Sequence, residues 1–146
     1  MTGIEVAKNE LPEDALDIFS EFATDEQLED QGAWQTLKGS TKLLVARANN
    51  RAYGRLLSEL VEKHSEQLNN GTPEADALSD KLMVQVIAKT VLKGWENLVY
   101  KGKALAYNTA NAEMVLSHAD FRRRVLELAN NREAYKAKLE VEQGEA

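Results

Sequence analysis

Few residues in this chain of 146 have the types and spacing that chemistry needs. There is no cysteine, which excludes a thiol nucleophile, a thiolate metal site and a disulfide framework. The two histidines are isolated: His64 falls at the edge of an apolar helical stripe and His118 at a helix boundary. Neither belongs to an HExxH pair, and no EF-hand loop is present. A phosphate cradle of the GxxxxGK[ST] or GxGxxG type is also missing. A nucleophile and base pair therefore has few candidates. Arg122, Arg123 and Arg124 are adjacent, and three consecutive side chains on a helix point in three directions. They read as a solvated face, not as a phosphate clamp. The expectation is a protein that is not an enzyme, with no cofactor and no metal.

Carboxylates are plentiful but unevenly placed. Residues 1–30 hold ten acidic groups against Lys8 alone, a net charge of -9, which leaves +3 on residues 31–146. Nothing in that acidic stretch fixes carboxylates in catalytic geometry. An acidic arm on a mildly basic body speaks of partners and solubility, and against nucleic acid as the main ligand. Within the arm, Leu11, Ala15, Ile18, Phe19 and Phe22 recur at helical spacing after Pro12, which suits a first helical turn. Two readings stay open: a short helix docked on its own domain, or an acidic amphipathic segment for a partner's groove. The arm could also shield apolar surface until a client displaces it.

The elements that must position everything else are organised around Leu78–Val99. Written as a helix, its polar side chains Lys81, Gln85, Lys89 and Lys93 form one narrow strip, and the remaining circumference is apolar. Such a helix must be packed from several directions. It is too short and too often interrupted by lysine to span a membrane. Before it, the stretch 32–46 reads as a β-hairpin turning at Lys38-Gly39-Ser40, with Trp34 as the anchor that packs on the helices. Asn50 caps a helix whose stripe is Tyr53, Leu56, Leu57, Leu60, Val61, His64 and Leu68. Thr72-Pro73 opens the central helix. Gly94, inside it, costs about 1 kcal/mol relative to alanine and marks a close approach or a loosened turn. Asn108 caps a brief helix through Leu116, a helix with Phe121, Val125 and Leu128 follows, and Asn131 caps a last one carrying Tyr135 and Leu139. The fold class expected is mainly α: a small helical domain, residues 31–146, around one buried helix, with the hairpin packed on it and residues 1–30 as an arm. No stretch near the start has the basic-then-apolar layout of a signal peptide, so a cytosolic protein is expected.

The order of features carries a resemblance. A hairpin with a Trp precedes NRAYGRLLSEL, then a helix ending VLKGWENL, the segment KGKALAYNTANAEMVL, the helix FRRRVLELANN and a charged close, EAYKAKLE. The sharpest piece is Gly94-Trp95-Glu96-Asn97, followed by Tyr107-Asn108, Asn111-Ala112 and Leu116. Over roughly residues 32–142 the chain resembles the tail assembly chaperones of long-tailed bacteriophages. The basic, proline-free connector Lys101-Gly102-Lys103-Ala104-Leu105 departs from the acidic or proline-containing turn common in relatives.

The resemblance implies a non-enzymatic assembly factor in the host bacterial cytoplasm, absent from the mature virion. Its partners would be the tape measure protein, which it keeps soluble, the tail tube protein, further copies of itself and a frameshift-extended form. The resemblance also makes Trp34, Gly94, Trp95, Tyr107 and Leu116 structural anchors. Candidate client or self-association residues are the ends of apolar stripes: Leu56, Leu60, Leu68, Tyr135 and Leu139. An alternative is a small helical connector or tail-completion protein that stays in the virion.

Overall fold

The computed structural model describes residues 11–138. Two short helices come first, α1 (Ile18–Phe22) and α2 (Glu26–Gln31), then strands β1 (Ala33–Lys38) and β2 (Thr41–Val45). Helices α3 (Arg51–Lys63), α4 (Ser65–Leu68) and α5 (Pro73–Thr90) follow. Strands β3 (Leu92–Glu96), β4 (Val99–Tyr100) and β5 (Lys103–Ala104) lead into helices α6 (Thr109–Leu116) and α7 (Ala119–Ala129). A 3-10 turn over Arg132–Tyr135 closes the described chain.

Local chemistry explains where the helices start. Asn50 Oδ1 accepts from the Tyr53 amide at 2.9 Å, the Thr72 hydroxyl from Ala75 at 3.1 Å, and Asn108 Oδ1 from Asn111 at 2.7 Å. Each satisfies a first-turn donor that has no partner inside its helix. In α5, Leu82, Val84, Val86, Ile87 and Ala88 are all buried, because α3 and α4 cover one side and α6 another.

The helix expected over Leu78–Val99 ends early. Past Thr90 the chain enters β3, which pairs antiparallel with β2, Leu43 opposite Trp95 and Leu44 opposite Gly94. Two forces end the helix. Asn50 Nδ2 donates to the Thr90 carbonyl at 2.9 Å and the Ala46 amide to the Val91 carbonyl at 2.8 Å, so the last carbonyls are held by the loop after β2. Gly94 is poor in a helix, and in β3 it pairs opposite Leu44 of β2. Among the described residues the chain is thus 54% helical and 17% strand, with seven helices and two small antiparallel sheets. The fold is a mixed α+β domain, not the mainly α domain that the helical spacing suggests.

The larger sheet has the order β1-β2-β3 and two faces. Its inner face presents Ala33, Gln35, Leu43, Val45, Leu92 and Trp95 to a core completed by Ile87, Val115, Leu116, Val125 and Leu128. Burying each aliphatic side chain of that size contributes about 1.5–3 kcal/mol. The outer face carries Trp34, Leu44 and Gly94 in one cross-strand row. Trp34 is 49% exposed, so it is not the core anchor that its size suggests. Alternation along β1 puts Ala33 and Gln35 inside, which forces Trp34 out.

Two further expectations change. Residues Pro12–Ala15 form a turn, not a helical start, and α1 begins after Asp17, whose carboxylate accepts from Phe19 at 3.0 Å. Asn131 makes no side-chain cap, and the segment after it is one 3-10 turn, not a helix. Lys136 then pairs with Thr24 in an antiparallel bridge that ties the acidic segment to the body. Leu139 lies outside the described residues.

Candidate interaction surface

The stripe on α3 is the first surface to consider. The spacing of Tyr53, Leu56, Leu57 and Leu60 aims one side of the helix at α5, and Tyr53 OH approaches Met83 Sδ at 3.6 Å. Yet no residue of α3 is buried. Leu56, Leu57, Leu60, His64 and Leu68 are half-buried, and Val61 is exposed. Helices α5 and α4 cover the stripe in part, which leaves its leucines between buried and exposed and Val61 open to water. Leu56 and Leu60 lie on α3; the helix expected to run on through Leu68 breaks at His64, so Leu68 sits on α4, which also packs against α5.

The other candidate positions do not join them. Tyr135 is fully buried and belongs to the core, not to a surface. Its hydroxyl donates to the Val45 carbonyl at 2.7 Å and accepts from Gln35 Nε2 at 3.1 Å. Gln35 Nε2 also donates to the Leu128 carbonyl at 3.0 Å, and Asn131 Nδ2 donates to Gln35 Oε1 at 3.3 Å. Burial pushes the Tyr135 hydroxyl up to about 12, with Arg47 and the Gln35 hydrogen bond pulling the other way. This buried polar network clamps the sheet to the end of the chain. Sequence reasoning missed it, because Gln35 in an alternating strand gave no sign that it points inward.

The anchors form a second cluster. Trp95 is buried, donates its indole N–H to the Leu105 carbonyl at 2.7 Å, and meets Tyr107 edge-on at 4.9 Å between centroids. The Tyr107 hydroxyl donates to the Leu92 carbonyl at 2.7 Å, and burial raises its pKa. Leu116 is fully buried below. Gly94 stands on the other face, where an added Cβ would lie 3.6 Å from Leu44 Cβ and 3.9 Å from the Trp34 ring.

The polar groups have structural work. Arg123 pairs with Asp120 at 2.7 Å, Arg124 with Glu127 at 3.5 Å, and Arg122 donates to the Leu116 carbonyl at 2.8 Å. His118 lies 2.9 Å from the Tyr100 hydroxyl, and His64 ends α3. Among the described residues no three His, Asp or Glu side chains converge as a metal site would need, and no helix is long and apolar enough to cross a membrane. A cleft of about 700 Å³ lies between the acidic segment and the body, with Glu29, Arg47 and Arg132 on its walls. Those charges are engaged: Arg47 with Glu29 at 3.1 Å, Arg132 with Glu21 at 2.9 Å. Apolar side chains stay exposed on α1, on α3 and on the outer face of the sheet.

No curated protein and no solved structure matches this chain. A family model does, over residues 48–145, which span α3 to α7 and the turn after them and leave out the hairpin and the acidic segment. That match covers about two thirds of the chain and makes it a phage-associated protein. The chain belongs to the YdaY prophage protein family.

Proposed function

We propose that this prophage protein is a non-enzymatic tail assembly chaperone, which binds the tape measure protein, keeps it soluble and promotes assembly of tail tube subunits around it. One observation carries the reading: a long amphipathic helix, α3, has no buried residue. Leu56 and Leu60 each keep part of their surface in water, and Val61 beside them is exposed. A client-binding protein keeps such a stripe open, because helical clients are held along apolar helix faces. The -9 charge on residues 1–30 suits the same task, since net charge keeps a protein with open apolar surface in solution. Membership in a prophage family supplies the biological setting. The site of action is the host cytoplasm, and repeated weak contacts along a long client favour a homo-oligomer.

The test is co-expression with the long tail protein of the same prophage, followed by pull-down and size-exclusion chromatography with light scattering. The expected result is a soluble tape measure protein that co-elutes with several copies of this chain. An insoluble tape measure protein beside a free chaperone candidate would overturn the reading.

A further inference from the structure

The acidic segment has an apolar side of its own. Leu11, Leu16, Ile18, Phe19 and Phe22 are all exposed, Leu16 by 60% and Ile18 by 64%, the densest such group among the described residues. Residues 11–31 also carry eight carboxylates and no lysine or arginine. Glu21 and Glu29 are matched by Arg132 and Arg47, and Asp17 and Asp25 cap their helices. Glu13, Asp14, Glu26 and Asp30 make no ion pair among the described residues.

This segment is fastened to the body. The Asp25 amide donates to the Tyr135 carbonyl at 2.8 Å, the Ala137 amide to the Ala23 carbonyl at 3.0 Å, and the Arg132 guanidinium sits 4.9 Å from the Phe22 ring centre. Even so, α1 buries none of its residues. A helix held only to cover its own domain would turn Ile18 and Phe19 inward. Here the polar contacts and the Arg132–Phe22 contact hold it in place and leave Ile18, Phe19 and the free half of Phe22 outward.

We propose that α1 and the turn before it form a docking surface for a basic, amphipathic helical segment of a partner protein. Aliphatic side chains of the partner cover Ile18, Phe19 and Phe22, and its lysines or arginines meet Glu13 and Asp14. Charge selects the occupant: an acidic segment is repelled, and so is the same face of a second copy. This surface is separate from the α3 stripe and goes beyond the tail-chaperone reading, which co-expression tests on its own.

The probe is a labelled synthetic Leu/Lys amphipathic peptide titrated with the full chain by fluorescence anisotropy, with a Leu/Glu peptide as control. The Leu/Lys peptide is expected to bind and the Leu/Glu peptide not to. Ile18→Ser with Phe19→Ser keeps every charge and should weaken binding by about tenfold or more. Neutralising Glu13→Gln with Asp14→Asn should flatten the salt dependence. Circular dichroism melts of both variants should match the wild type, because α1 buries nothing. Equal binding by the Ile18→Ser, Phe19→Ser variant, or equal binding of the Leu/Glu peptide, would overturn the proposal. So would a concentration-dependent dimer, seen by light scattering, that the same variant abolishes.

Discussion

The two tryptophans lie on opposite faces of one sheet, and their surroundings differ in kind. Trp95 is 8% exposed, with its indole N–H bonded to a carbonyl and Tyr107 against its ring. Trp34 lies outside, across Leu44 and Gly94, and half of it meets water. A large aromatic is not an anchor by size alone. It becomes one when strand alternation turns it inward and its polar atom finds a partner. On β1 the inward place between Ala33 and Leu37 is taken by Gln35, a smaller polar residue whose amide is satisfied there.

The largest test of this contrast is truncation. Trp95→Ala should cost about 3–5 kcal/mol of unfolding free energy in urea titrations, and Trp34→Ala about 1 kcal/mol or less. Equal losses would break the contrast. Tyr135→Phe sharpens it from the polar side, since it removes the buried hydroxyl that joins the Val45 carbonyl to Gln35 and should cost about 1–2 kcal/mol. The Tyr135 pKa is raised from 10 to about 12 in the folded chain, so its contribution is full below pH 10. That contribution is lost as pH rises from 10 toward 12, because only the unfolded chain ionises readily there. Melting temperatures should fall across that window in the wild type and fall less in Tyr135→Phe. The two glycines beside Leu44 differ, and Gly94 gives the smallest effect. Gly32 has φ +110° and an added Cβ would sit 2.9 Å from Leu44 Cγ, so Gly32→Ala should destabilise by about 1–2 kcal/mol. Gly94→Ala meets only ordinary contacts, at 3.6 Å and beyond, and should stay within about 0.5 kcal/mol of wild type.

What was legible in the sequence was local. The turn at Gly39 and the caps at Asn50, Thr72 and Asn108 are each written in a few adjacent residues. The end of α5 was not, because Lys81, Gln85, Lys89 and Lys93 keep a four-residue rhythm across the boundary. What stops the helix is distant in sequence: Asn50 and the Ala46 amide hold its last carbonyls, and β2 offers β3 a partner. The same holds for the surface. The α3 stripe could be read from spacing, including Leu56 and Leu60, whereas the break at His64 that moves Leu68 onto α4 and the partial cover of the stripe depend on how the neighbours pack. That Tyr135 goes to the core and not to a surface was not legible in the same way, since its partners Gln35 and Val45 lie about ninety residues away or more.

The central proposal is that the partly covered stripe of α3 and α4 holds a client helix. Hydrogen–deuterium exchange of this protein, alone and co-purified with the tape measure protein, tests it most directly. The result expected is slower exchange across residues 53–68 in the complex, with little change in β1 to β3. A complex in which residues 53–68 exchange as fast as in the free protein would contradict the claim.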